Sequence, residues 1–129
     1  AKARKQRLDL MKEYDILMDP EASVPYISML KDLYGKGGVA DQDLVTMGRQ
    51  LAQSRNASGL LAFVKQFPKQ RQQVRDDLMK IIQTQVDDVS KYEPSKFRSK
   101  LRILARLMKG KRDAAYEKLL LEIEEMEIG

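Results

Sequence analysis

The chain of 129 residues contains no cysteine, no histidine and no tryptophan. Without Cys there are no disulfides, thiolate zinc sites or cysteine nucleophiles, and without His the commonest general base and metal ligand are missing. Most hydrolytic and transition-metal chemistry is thereby disfavoured, and neither a catalytic residue nor a metal site nor a cofactor is expected. Aromatic residues are only 6% of the total, so the core must be built mainly from Leu, Ile, Val and Met. No apolar run approaches the ~20 residues needed to cross a bilayer, and the opening AKARKQRLDL has basic residues without the apolar segment of a secretory signal. The expectation is a soluble intracellular protein, cytoplasmic or nuclear, whose Ala start is compatible with removal of an initiator Met. The triplet Asn56-Ala57-Ser58 spells a glycosylation acceptor, which matters only in a secreted protein and is discounted.

What is present is a mixture of 43% hydrophobic and 33% charged residues, too apolar for an intrinsically disordered chain. Its length suits one compact domain burying roughly two-thirds of the unfolded surface. The reading is a single all-helical domain over 1–129 with a basic N-terminal arm, 1–7, carrying Lys2, Arg4, Lys5 and Arg7. The net charge of +5 favours anionic partners: nucleic acid, acidic protein segments or lipid headgroups.

Apolar spacing predicts about seven helices and no strands. The first, from Ala3 to Met18, turns Leu10, Tyr14 and Leu17 to one side. Asp19-Pro20-Glu21 reads as a helix start interrupted by Pro25, so a short helix is predicted from Pro25 to Tyr34. Gly35-Lys36-Gly37-Gly38 lacks the G-x-x-x-x-G-K-[ST] spacing of a phosphate-binding loop and reads as a hinge. Asp41 caps a helix to Arg55, closed by Asn56, with Leu44, Met47, Gly48, Leu51 and Ala52 inward. Ser58 is the expected cap of the next segment, GLLAFV, which is apolar nearly all round and is placed centrally.

A long helix follows from Gln70 to Ser90, its stripe formed by Val74, Leu78, Ile81, Ile82, Gln85 and Val89. Lys65, Lys69, Arg71 and Arg75 cluster at its start with no acid between them. Asp76, Asp77, Asp87 and Asp88 lie on it as pairs about 16 Å apart, too far to share one cation.

The most conspicuous stretch runs from Pro94 to Arg112, with eight Lys or Arg and no Asp or Glu. It reads as a helix capped by Ser95 and ended by Gly110. Phe97, Leu101, Leu104 and Met108 form its inner stripe, and Arg98, Arg102, Arg106 and Lys109 a cationic one, with Lys111 and Arg112 just beyond. Like charges four residues apart repel, so this stripe needs water or an anionic partner. A final helix, Asp113 to Ile128, is rich in glutamate and offers an internal partner for it.

Within this pattern Asp43 to Phe67, DLVTMGRQLAQSRNASGLLAFVKQF, resembles a tetratricopeptide-type helical hairpin. Met47-Gly48 and Leu51 stand where that family has Leu-Gly and an aromatic residue, and Leu60 and Val64 where its second helix has packing residues. Gly110, Ala115 and Leu119 similarly resemble the turn and second helix of another hairpin. The resemblance implies a small α-solenoid, or hairpin stack, of the kind found in proteasome-lid scaffold subunits, which bind other proteins through grooves. The alternative architecture is an irregular bundle.

Two functions fit these residues. One is a non-enzymatic adaptor that docks an acidic partner surface through Arg98, Arg102, Arg106, Lys109, Lys111 and Arg112. The other is a nucleic-acid-binding protein in which these residues, the arm and the cluster Lys65, Lys69, Arg71 and Arg75 contact phosphates. No RRM, KH or zinc-finger signature is present, and aromatics for base stacking are few.

Overall fold

The computed structural model describes the backbone of residues 10–128 and the side chains of 13–126. The arm cations Lys2, Arg4, Lys5 and Arg7 lie outside the described residues. Among those described, the fold is all-α, with no strand. Its helices are α1 (Leu10–Met18), α2 (Ser23–Gly35), α3 (Asp41–Gln53), α4 (Ala57–Gln66), α5 (Arg71–Asp87), α6 (Pro94–Leu107) and α7 (Ala114–Ile128), with short 3-10 turns at Pro68–Gln70 and Val89–Lys91. The chain divides into two compact units, Ala1–Val74 and Arg75–Gly129.

In the first unit α4 is central and packs on α2, on α3 and on the Pro68–Gln70 turn. Leu60, Phe63 and Val64 of α4 are buried together with Leu17, Ile27, Leu30, Leu44, Met47 and Leu51. Each such side chain contributes about 1.5–3 kcal/mol by leaving water. Gly48 lets α3 approach α4 closely, since a Cβ there would meet a Phe63 ring carbon at 3.3 Å. Tyr14, expected inward, is exposed.

Asn56 ties these helices together. It is the N-cap of α4, its Oδ1 accepting from the Gly59 amide at 2.8 Å. Its Nδ2 donates to the Leu17 carbonyl at 2.8 Å and the Ser23 Oγ at 2.7 Å, with the Asp19 carbonyl 3.3 Å away. One side chain thus satisfies an orphan amide of α4 and the carbonyl end of α1, and also reaches the first turn of α2. The expected cap, Ser58, is instead an exposed residue inside α4. With Asn56 2% exposed and both amide atoms engaged, the glycosylation triplet has no accessible acceptor in the fold.

Helix starts and stops also differ from the expectations at particular residues. Pro25 does not delay α2, because it sits in the first turn, where its missing N–H has no helical acceptor to lose. Asp41 is inside α3, and Asp43 does the capping work by accepting from the Ala40 amide at 3.0 Å. The predicted hinge is a hydrogen-bonded helix end. Gly37, with φ +79°, allows its own N–H to reach Tyr34 O at 3.0 Å and that of Gly38 to reach Leu33 O at 2.9 Å, the Schellman pattern.

The second unit buries Leu78, Ile82, Phe97, Ile103, Leu104, Leu107, Met108, Tyr116, Leu119 and Ile123. Val89 falls off the predicted stripe and is 76% exposed, because α5 stops at Asp87. Asp88 then caps the Val89–Lys91 turn through Ser90, whose hydroxyl and amide hold the Asp88 carboxyl below its ordinary pKa. Gln85, buried as expected, accepts from the Glu93 amide at 2.9 Å and so fixes the entry to α6.

Asn56→Asp distinguishes a hub from a simple cap. Aspartate still caps α4 but sets an acceptor against the Leu17 carbonyl, so it should destabilise the protein at least as much as Asn56→Ala. Each should cost about 2–3 kcal/mol in urea unfolding monitored by CD. A mere cap would leave Asn56→Asp close to wild type.

Candidate functional site

Helix α6 begins after Glu93 with Pro94 at its first position, where a missing N–H costs nothing. Its buried face is Phe97, Lys100, Ile103, Leu104 and Leu107, not the predicted 97/101/104/108 stripe; Leu101 is only half-buried. The choice turns Arg98, Arg102 and Arg106 outward, and all three are exposed, as are Lys109, Lys111 and Arg112 beyond the helix. The helix stops at Leu107 and a turn through Gly110, with φ +79°, carries the chain toward α7.

Arg75 departs from its expected role. It is 9% exposed, and its guanidinium bonds Asp113 Oδ2, Asp76 Oδ1 at 2.9 Å and Met108 Sδ at 3.4 Å. It therefore belongs to the interior of the second unit and offers nothing to an external phosphate. Its position three and seven residues before Leu78 and Ile82 puts it on the apolar face of α5, a signal legible in the sequence. Asp113 uses its other oxygen, Oδ1, to accept from the Tyr116 amide at 2.9 Å, which caps α7. Arg75 thus holds the end of the α6 turn and the start of α7 together.

Between those two segments lies a groove of about 510 Å³, lined by Arg102, Ala105, Arg106, Met108, Lys109, Gly110, Arg112 and Tyr116. Four of the sequence-predicted cations converge on it, above an apolar floor. Arg112 is shared: it forms a two-point ion pair with Glu117, at 2.6 and 3.2 Å, and its guanidinium carbon lies 5.4 Å from the Tyr116 ring centre. Among the described residues, Arg102, Arg106 and Lys109 form no ion pair, nor does Arg98 one turn above the groove. Among the described carboxylates of α7, Glu117 is the one paired with this cationic surface. Glu122 bonds Gln83 instead, at 2.7 Å.

The remaining predicted cations do not join this groove. Lys111 is exposed in the turn that precedes α7. Lys65, Lys69 and Arg71 belong to the first unit, where Lys65 and Lys69 are exposed and Arg71 is half-buried. The expected junction cluster thus loses Arg75 to the interior. No group of acidic residues among those described has the arrangement of a metal site. No described helix is long and apolar enough to cross a membrane.

A further cation, Lys100, was missed by the stripe reading although 97, 100, 104 and 107 also follow helical spacing. It is 2% exposed, and burial, followed by the Lys96 ammonium, pulls its pKa from 10.5 down to about 8.

Comparison with known protein families, with curated proteins and with solved structures finds no match to this chain. What the groove does must therefore be read from its own chemistry: cations able to pair carboxylates or phosphates, arranged round a surface that accepts an apolar group.

Because the fold lowers the pKa of Lys100, the unfolded chain binds that proton more tightly. Stability should rise between about pH 8 and pH 10 as Lys100 deprotonates in the fold, and Lys100→Met should lack this rise. Above pH 10 the raised phenols of Tyr26, shifted by burial and then Glu13, and of Tyr34, hydrogen-bonded to Asp41, act in the opposite sense. Thermal unfolding of the two proteins across this range measures the difference.

Proposed function

We propose that the protein is a non-enzymatic helical interaction module that docks an acidic, amphipathic segment of a protein partner in the α6–α7 groove. The carrying observation is the pairing of an apolar floor, the exposed Ala105 beside the largely buried Met108 and Tyr116, with the rim cations Arg102, Arg106, Lys109 and Arg112. An acidic helix presenting one apolar side chain among carboxylates uses both parts; its charges, spaced four residues apart, advance by about 6 Å, the same step as Arg98, Arg102 and Arg106. Burying the apolar contact supplies affinity, and the charge match supplies orientation and fast encounter.

The scaffold reading agrees with this role. We read α3 and α4 as a tetratricopeptide-type hairpin, supported by the close approach of Gly48 to Phe63. Such hairpins present helix faces to partners and need no catalytic group.

Nucleic-acid binding remains the second reading, favoured by the exposed run Arg98, Arg102 and Arg106, which forms no ion pair among the described residues. The groove suits it less well: Tyr116 is buried with Arg112 over its ring, leaving no exposed aromatic face for base stacking.

The test is titration of an acidic amphipathic helical peptide, and in parallel of duplex and single-stranded DNA, over a salt series. Arg102→Glu with Arg106→Glu should retain the wild-type CD spectrum yet lose at least about tenfold in peptide affinity. Tight, steeply salt-dependent DNA binding with no peptide binding would overturn the adaptor reading. Glu117→Gln releases Arg112 from its internal partner and should strengthen peptide binding by about two- to fivefold, the range of an exposed ion pair.

A further inference from the structure

The first unit contains a second cavity, of about 540 Å³, in which apolar and aromatic side chains share the wall with charged and amide ones. Its floor is the buried side chains of Leu44 and Phe67, with Tyr34 and Pro68 as walls. The Tyr34 ring meets the Phe67 ring edge-on at 5.8 Å, and its hydroxyl donates to Asp41 Oδ1 at 2.6 Å, which holds the wall upright. Phe67 is held from behind by Phe63, ring centres 5.3 Å apart. The apolar surfaces are thus positioned by contacts that exist without any occupant.

Charge at the rim is asymmetric. Lys31 and Lys69 border the cavity on separate segments, α2 and the Pro68–Gln70 turn, and among the described residues neither forms an ion pair. Among the described residues that line it the carboxylate is Asp41, which is engaged by the Tyr34 hydroxyl. We propose that this cavity binds a small organic carboxylate with an apolar body, aliphatic or aromatic. The body lies on Leu44, Phe67 and the Tyr34 ring, and the carboxylate lies at the mouth between Lys31 and Lys69. The occupant and location differ from those of the cationic groove, and the two sites stand or fall separately.

Gly35 provides a way to close the cavity without disturbing the core. It lines the space, its φ is ordinary, and a Cβ built on it meets nothing within 4 Å. Gly35→Trp therefore adds a bulky ring at the cavity wall without a clash at its Cβ.

The probe is octanoate, with the uncharged 1-octanol as its control, titrated into the isotopically labelled full chain and followed by amide chemical shifts. Octanoate should give saturable shifts at Gly35, Leu44, Phe67 and Gln70, with a dissociation constant of about 0.1–1 mM, the range for a ligand of this size. Octanol should bind at least about tenfold more weakly, Lys31→Glu with Lys69→Glu should remove that advantage without altering octanol binding, and Gly35→Trp should abolish both sets of shifts. Equal affinity for the two probes, or shifts spread over the exposed apolar residues Tyr14, Val24, Met29, Val89 and Leu121 instead of the cavity, would overturn the proposal. If Gly35→Trp fails to fold, the lysine variants and the octanol comparison still decide it.

Discussion

The ion pair between Arg75 and Asp113 is the constraint from which the geometry of the second unit follows. A guanidinium this deeply placed must have its donors satisfied, and it finds Asp113, Asp76 and the Met108 sulfur around it. Met108 lies just past the end of α6, and Asp113 just before α7. The buried charge therefore sets where one helix stops and the next begins. The groove rimmed by Arg102, Arg106, Lys109 and Arg112 is the outer surface of that joint. An internal cation, in effect, arranges the external ones.

The first unit uses a neutral device for the same purpose. Asn56 carries both a donor and an acceptor, so one buried side chain completes the ends of α1 and α4 and reaches the start of α2. Around this point there is no room to spare: a Cβ on Gly59 would fall 2.4 Å from Asn56 Nδ2. The Schellman end of α2 and the tight entry to α3 then leave Tyr34 facing Asp41, which shapes the second cavity. In both units, polar groups at helix ends determine where the surface opens.

The helical class, the central place of GLLAFV and the outward cationic stripe of Arg98, Arg102 and Arg106 were all legible from spacing alone. Their signals are local, since an amphipathic helix repeats its pattern every turn. The misassigned residues share a different property. Arg75 and Lys100 are charged residues at positions that helical spacing allows to be apolar, and rules based on residue type send them to water. Ser58 was a sound candidate cap, but Asn56 displaced it because its side chain also has long-range partners in α1 and α2. Val89 continued a periodic stripe past the point where Asp88 ended the helix.

From its sequence alone this protein is an all-α chain in which a basic helix precedes an acidic one. Composition, hydrophobic period and charge order determine that much, because they act within one or two turns. Which cations meet solvent was decided only by tertiary packing. On α6 the sets 97/101/104/108 and 97/100/104/107 are both regular helical faces, and successive residues differ by about 100° around the axis. In the fold the second set is the buried one, Lys100 with it, and Leu101 is left half-covered. The fold also brings Arg75 to Asp113 and leaves Arg102, Arg106 and Lys109 on the rim of one groove, with no ion pair among the described residues.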